Sequence, residues 1–312
     1  MQALSYSKYG GIDVLSLAES PVPEVGANEV LIRVQAASLN PFDWKLRNGM
    51  LQEFFRPDFP ITPGRDGCGE IAEIRVNGTE MPLSQGQRVS FISSGIERGS
   101  MAEFVVVKGA GNVVPVAENL SIEESAAIPL VGLSAWNSLV DAAQIEAGMR
   151  VLIHGGSGGV GSVAIQIAHH FGAEIYATCH SKNVVRVEKL GAHAIPYDKA
   201  DFADSVSDCD VVLDTIGGQV HEDSYKVLKK GGRLVYLLAR PFKDMSADYG
   251  VELIQANVFG NTGNLAKVID FARKGIIKPQ IGHALNLADY KKAFELGETG
   301  NAGGKIVLAI SA

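Results

Sequence analysis

The sequence predicts an α/β protein of two domains, with a doubly wound parallel sheet set within an antiparallel, partly rolled β region. Three observations carry that expectation. The chain has 312 residues, about twice the length that one typical domain needs. Its texture changes near residue 121, from short apolar runs broken by turn residues to strands alternating with helices. The segment HGGSGGVG, residues 154–161, follows an apolar strand and opens a helix.

Residues 30–34 read as a strand that ends in a loop through Asn40 and Pro41. Residues 69–74 alternate with period two, as a half-buried strand does, and 87–92 and 102–107 continue the style. Ser121 with Glu124 three residues on has capping-box spacing and marks a helix start, and a second helix is expected over 134–143. A βαβ rhythm follows. Strand 151–154 leads to helix 160–171, with Val163, Ile167 and Phe171 on one face and Gly172 after it. Strand 174–178, helix 183–190 closed by Gly191, and strands 210–214 and 234–238 extend it. Past residue 262 come a helix with Leu265, Val268, Ile269 and Ala272 on one face, a helix over 288–296 and a strand over 305–310.

Composition narrows the function classes. Hydrophobic residues make up 46% and charged residues 20%, an ordinary globular balance. A net charge of -7 argues against a nucleic-acid partner, which calls for a basic face. Cys68, Cys179 and Cys209 stand far apart with no CxxC pair, so neither a disulfide framework nor a thiolate metal knuckle is readable. Reduced thiols in the cytoplasm are expected. No apolar run approaches the roughly 20 residues of a membrane span. The opening MQALSYSKYGG lacks a signal-peptide layout, so neither a membrane partner nor export is expected.

Gly156, Gly158 and Gly161 fit GxGxxG within a strand–loop–helix context, the fingerprint of a dinucleotide site. Gly156 permits the tight turn, Gly158 lets the backbone approach a pyrophosphate, and Gly161 lets the helix lie close to the strand. Sites for NAD place a carboxylate about 20 residues on, where it bonds the ribose 2′-hydroxyl. Here no carboxylate lies between Glu174 and Glu188. Ser181 offers a hydroxyl and Lys182 a cation, with Arg186 a turn later, so NADPH is the expected cofactor.

Several further motifs, taken together, resemble one known family. They are SLNPFD at residues 38–43, PGRDGCG at 63–69, Ile128-Pro129-Leu130 with Gly132-Leu133-Ser134-Ala135, Leu190-Gly191-Ala192, Asp214-Thr215-Ile216-Gly217-Gly218 and Gly304-Lys305-Ile306-Val307. With the glycine loop they resemble the zinc-free, zeta-crystallin-like quinone oxidoreductases of the medium-chain dehydrogenase/reductase superfamily, over nearly the whole chain. The resemblance implies a GroES-like substrate domain from residues 1–122 and 263–312, with a Rossmann-type dinucleotide domain from 123–262 inserted into it. It implies that Ser157, Gly158, Gly159 and Val160 wrap the pyrophosphate and that Ser134 stands near the cofactor. Ser181, Lys182 and Tyr197 match the 2′-phosphate end, and Leu238 the nicotinamide end. Asn40 and Asp43 fall in the substrate loop as catalytic candidates, weighed against an Asx turn before Pro41 and a capping role. Zinc-dependent relatives carry a cysteine at position 40 and Gly-His-Glu at 64–66, where this chain has Asn40 and Gly64-Arg65-Asp66. The expected reaction is therefore metal-free hydride transfer to a quinone or a conjugated enone. A non-catalytic NADPH binder on the same fold is the competing reading. Trp44 stands where relatives carry an aromatic hydroxyl, which leaves water to protonate the product. A homodimer is expected through an open sheet edge near residues 251–259.

Overall fold

The computed structural model describes residues 1–75, 83–93, 95–237, 242–258, 263–300 and 302–310. The chain divides into two compact units. One comprises Met1–Leu130, Leu265–Arg273 and Pro279–Ala312, and the other Val131–Asn264 and Lys274–Lys278. Sequence texture placed the seams after residues 122 and 262.

The first unit opens with a two-stranded antiparallel pair, β1 (Gln2–Ser5) and β2 (Ser16–Glu19). The long strand β3 (Glu29–Leu39) follows and runs straight into helix α1 (Pro41–Arg47). The loop expected through Asn40 and Pro41 is instead the start of this helix. Its start signals are present in the sequence. Asn40 is the extended N-cap, Pro41 is the first helical residue, and the Asp43 carboxylate accepts the Asn40 N–H at 2.8 Å. Then come β4 (Asp66–Ile74), β5 (Arg88–Ile92), β6 (Phe104–Lys108) and β7 (Val113–Pro115), all antiparallel to their neighbours. Val30, Ile32, Val34, Ile71, Val89, Phe91, Val105 and Val107 fill the core between them.

Helix α2 (Ile122–Trp136) begins with the reciprocal cap its sequence announces. The Ser121 hydroxyl accepts the Glu124 N–H, and the Glu124 carboxylate accepts the Ser121 N–H, both at 3.1 Å. The second helix expected over 134–143 is not separate. α2 continues to Trp136 and passes into a π-helical turn, Asn137–Ala142. Pro129, which ordinarily breaks a helix, is accommodated because β5 repairs the ladder. The Ser125 carbonyl, deprived of the Pro129 donor, accepts the Ser90 hydroxyl at 2.7 Å. Next to it the Leu130 N–H donates to the Asp66 carboxylate at 3.0 Å.

The second unit is a six-stranded, wholly parallel sheet. In chain order its elements are β8 (Arg150–Ile153), α3 (Gly159–His170), β9 (Glu174–Cys179), α4 (Val184–Glu188), β10 (His193–Pro196), β11 (Cys209–Asp214), α5 (Gln219–Ser224), β12 (Leu228–Tyr236), α6 (Ser246–Tyr249) and β13 (Glu252–Gln255). The spatial order is β10-β9-β8-β11-β12-β13, with a topological switch between the neighbouring strands β8 and β11. Leu152, Val212 and Leu234 stack across the central strands, under Phe202 and Tyr225. The apolar runs of the sequence are thus the interior strands of a sheet covered by helices. The strand β10 was not legible. It is four residues long and contains Pro196, which an edge strand tolerates.

The chain then returns to the first unit with α7 (Leu265–Arg273), β14 (Ile281–Asn286), α8 (Tyr290–Glu298) and β15 (Lys305–Ala309). β15 pairs antiparallel with β3 and completes the seven-stranded sheet, which runs β14-β15-β3-β4-β5-β7 with β6 paired to β3 beside that path. No helix among the described residues is long and apolar enough to cross a membrane.

Candidate functional site

The glycine loop leaves β8 at His154, whose N–H donates to the Leu213 carbonyl at 3.0 Å. Its glycines do different work. Gly155 has φ +73°, a left-handed conformation strained for side chains. A Cβ on Gly161 would lie 2.2 Å from the Gly155 carbonyl oxygen, and one on Gly156 would lie 2.7 Å from the Ala177 methyl. Those two positions let α3 close onto the sheet. Gly158 is different: it is exposed, and a Cβ there would meet only the Gly155 oxygen, at 3.2 Å.

The loop ends with its donors open. The first hydrogen bond at the start of α3 is Ser162 N–H to the Gly158 carbonyl, at 3.0 Å. Among the described residues the amides of Ser157, Gly159, Val160 and Gly161 meet no acceptor within the chain. Orphan amides at a helix start, reinforced by the helix dipole, form an anion site. Ser157, Gly159 and Val160 are half-buried, so their amides lie near the surface. The neighbouring α4 fixes the loop. Asn183 donates to the Ser157 hydroxyl at 3.1 Å, and the Arg186 guanidinium to the Ser157 carbonyl at 2.9 Å. A cation is therefore tethered beside the open amides.

Behind the loop stands a buried polar shelf. The Thr178 hydroxyl accepts the Gly155 N–H at 3.1 Å, and the Thr178 carbonyl accepts the Gly156 N–H at 2.8 Å. His154 lies 3.2 Å from Thr178 Oγ1 through Nδ1 and 3.0 Å from Ser224 Oγ through Nε2. Burial pushes its pKa down to about 4, so the ring is neutral at ordinary pH. Asp214 accepts the Ile216 and Gly217 N–H groups at 2.8 and 2.9 Å and pairs with His221 Nδ1 at 2.8 Å. Sequence reading placed Asp214 in a motif but not its partner. His221 lies in the first turn of α5, and its role depends on three-dimensional packing.

Beside the shelf opens a cavity of about 740 Å³ lined by His154, Gly155, Thr178, Tyr197, Asp198, Asp201, Phe202 and Ile216, among others. Tyr197 is 60% exposed on its wall. Ser181 and Lys182 lie at the mouth of β9, just after its last residue. The Lys182 ammonium is exposed and has no partner in the chain among the described residues. Ser181 is engaged: its N–H and its hydroxyl both donate to the Asp198 carboxylate at 2.7 Å. That contact holds the Asp198 carboxyl below the usual carboxylate range. Asp198 escaped the sequence reading because it follows Ser181 by 17 residues and is delivered by β10. Ser134 is buried in α2, its carbonyl accepting the Ser138 hydroxyl at 2.6 Å. Leu238 lies outside the described residues. Ser157, Gly158, Gly159, Val160, Ser181, Lys182 and Tyr197 thus gather at the C-terminal ends of β8, β9 and β10.

In the first unit Asn40 and Asp43 belong to a buried cluster. Asn40 donates to Asp66 Oδ1 at 2.8 Å and accepts the Lys305 ammonium at 2.6 Å. Ser38 Oγ also donates to Asp66, at 2.5 Å, and Lys305 reaches the Leu39 carbonyl at 3.1 Å. Asp43 accepts the Asn40 and Gly64 amides at 2.8 and 2.9 Å. Burial raises its pKa to about 6, against the lowering effect of those amides and of Arg65. Burial also depresses the Lys305 ammonium, which Asp66 and Asp43 partly restore. Arg65 is buried too, donating to the Ser93 and Gly95 carbonyls above the Phe42 ring. An amide, a guanidinium and a carboxylate already bonded three ways make a poor zinc ligand set. Cys68 is buried, which pushes its thiol up to about 12. Among the described residues no cluster of three or more His, Cys, Asp or Glu is arranged to hold a metal ion.

Comparison with known proteins finds two family matches, the second of which runs across both units. Residues 26–118 match the alcohol dehydrogenase GroES-like domain, and residues 190–308 match the zinc-binding dehydrogenase domain. The chain is 34% identical to a 2-methylene-furan-3-one reductase of Solanum lycopersicum, over 99% of this chain and 79% of that one. It is 33% identical to an NADPH-dependent alkenal/one oxidoreductase of Arabidopsis thaliana, with the same coverage. The quinone oxidoreductase from Coxiella burnetii superposes with a TM-score of 0.87 at 29% identity, over 100% of this chain and 99% of that one. The chain belongs to the quinone oxidoreductase family of the medium-chain dehydrogenases/reductases. In that family the GroES-like and Rossmann-type folds are the two units described above.

Proposed function

We propose that this family member is an NADPH-dependent oxidoreductase that transfers hydride to a quinone without a metal ion. The observation that carries the reading is the open set of amides on Ser157, Gly159 and Val160, beside Arg186 and a cavity of about 740 Å³. NADPH, when bound, supplies the hydride from its nicotinamide C4. The chain's own residues bind and orient. The loop amides hold the pyrophosphate, Tyr197 and the cavity wall take the adenosine, and Lys182 meets the 2′-phosphate. Ser134 and Leu238 are proposed to face the cofactor, and Asn40 and Asp43 to shape the acceptor loop as positioning residues. An amide that bonds Asp66 and Lys305 at once does not shuttle protons. The quinone takes one hydride and one proton to become a hydroquinone, and water supplies the proton. The Asn40, Arg65 and Asp66 donor set supports zinc independence, because a buried guanidinium repels a divalent cation.

A second reading is reduction of an alkene conjugated to a carbonyl. The names of the tomato and Arabidopsis relatives favour it. Both readings use one hydride and one proton. The three buried, unpaired cysteines fit a reducing compartment such as the cytoplasm. The exposed edge of β13 supports a homodimer.

The test is NADPH oxidation by the purified chain against a quinone panel and an enone panel, with and without a chelator. Turnover of quinones that survives chelation is expected. Lys182→Glu should weaken NADPH by about tenfold or more through charge reversal. Binding of NADPH without turnover on any acceptor would replace the enzyme reading with a cofactor-binding one.

A further inference from the structure

Resting on the nucleotide reading above, we infer that Asp198 sets the balance between NADPH and NADH, and that its carboxylate gives the unphosphorylated dinucleotide a foothold. A site dedicated to the 2′-phosphate presents donors at the end of the second parallel strand, whereas a site for the bare ribose presents a carboxylate there. This chain presents both. Lys182 offers an unpartnered ammonium. β10 pairs with β9 so that Pro196 faces Cys179 and the Tyr197 N–H bonds the Cys179 carbonyl at 3.0 Å. That register delivers Asp198 to Ser181, across a gap the sequence does not show.

The hydrogen bonds decide what the pair can offer. Ser181 has two donors, its N–H and its hydroxyl, and both are spent on Asp198 at 2.7 Å. A phosphate arriving at Ser181 meets an anion in possession of the donors it needs. To bind there it must displace the carboxylate or accept its repulsion. A ribose hydroxyl meets no such obstacle, because it can donate to Asp198 and accept in turn. Asp198 lines the same cavity as Tyr197, so it faces the space the adenosine would fill. Asp201, the other carboxylate on that wall, is committed to the Ala203 amide at 2.9 Å and caps the turn that follows. Asp198 therefore opposes Lys182: the cation draws the extra phosphate in, and the carboxylate limits the advantage.

The experiment measures dissociation constants of NADPH, NADH, 2′,5′-ADP and 5′-AMP by calorimetry, for the wild-type chain and for Asp198→Asn. The two adenosine fragments confine the readout to this end of the site. In the wild-type chain NADH should bind measurably. In Asp198→Asn, NADPH and 2′,5′-ADP should tighten while NADH and 5′-AMP weaken, moving their ratio by about tenfold or more. Should Asp198→Asn not fold, Ser181→Ala gives the second reading. It keeps the carboxylate and the backbone N–H bonded to it but removes the hydroxyl donor, leaving one carboxylate oxygen without its partner, so NADPH should weaken more than NADH. An unchanged ratio in either variant, with nucleotide still bound, overturns the assignment of Asp198 and leaves the nucleotide site intact. Failure of the wild-type chain to bind any of the four probes overturns the nucleotide reading, and this inference with it.

Discussion

The buried cluster around Asp66 in the first unit and the glycine loop in the second treat their polar groups in opposite ways. Asp66 accepts from Ser38, Asn40 and Leu130, and Asn40 in turn accepts from Lys305. The cluster closes on itself. The loop leaves the amides of Ser157, Gly159, Val160 and Gly161 without acceptors in the chain, among the described residues. A network whose members satisfy one another holds a fold together. One that leaves donors pointing outward is unfinished until a ligand completes it. The motif at residues 38–43 and the motif at 154–161 look equally functional as strings of letters, and only the disposition of their hydrogen bonds separates them.

The comparison is broken most forcefully at Asp66. Asp66→Ala removes one acceptor from three donors and leaves Lys305 and Arg65 as buried cations with less compensation. The expected loss is about 3–5 kcal/mol of unfolding free energy by urea titration. A loss below about 1 kcal/mol would mean that the cluster is not structural in the sense argued.

This contrast also explains what could be read in advance. The parallel strands were legible because 151–153, 174–178 and 210–214 are apolar runs bounded by turns, and burial on both faces demands that pattern. The glycine loop was legible because few side chains fit where α3 meets β8. Helix α1 is harder to read, because the Asn40-Pro41 step that opens it suits a turn as well as a helix start. The continuity of helix α2 past Pro129 is not legible, because the Ser90 and Asp66 contacts that carry it come from strands far away in sequence. Asp198 and His221 share that difficulty. Each acts on a residue that strand pairing or helix packing brings to it, and no spacing rule announces it.

Acidification sharpens the comparison, since the two regions answer it with opposite sign. In the second unit His154 has its pKa lowered from 6.5 to about 4 by burial. Between those values the unfolded chain takes up a proton that the folded chain refuses, so stability falls as pH drops from about 6.5 to about 4, by roughly 3 kcal/mol in full. In the first unit Asp43 has its pKa raised from 3.8 to about 6, again by burial. There the folded chain protonates first, so stability rises as pH drops from about 6 to about 4, by a similar amount. Unfolding titrations at pH 7 and pH 4.5 should show His154→Gln losing less stability on acidification than the wild-type chain, and Asp43→Asn losing more. Equal losses in all three proteins would mean that neither group is buried as described.

A smaller effect is expected at Gly158, where the loop is most open. Its φ of -80° suits any residue, so Gly158→Ala should leave the melting temperature within a few degrees. The added methyl would stand beside the open amides, and NADPH should weaken by about tenfold in a fluorescence titration. Unchanged affinity would place the pyrophosphate elsewhere and remove the functional side of the comparison.

The smallest change tests whether a closed contact is structural even when it involves a single neutral group. Ser90 donates its hydroxyl to the Ser125 carbonyl at 2.7 Å, opposite the missing N–H of Pro129. Both residues are fully buried. In Ser90→Ala the carbonyl loses that donor, and water has little access to replace it, so the expected cost is about 1–2 kcal/mol. NADPH affinity should not move, because Ser90 belongs to the first unit and the nucleotide loop to the second. Pairing Ser90→Ala with Pro129→Ala supplies the check. Alanine at 129 restores the helix's own N–H to the Ser125 carbonyl, so the double variant should regain most of what Ser90→Ala lost. If the two losses simply added, the Ser90 hydroxyl would not be serving as the substitute for the proline's missing donor.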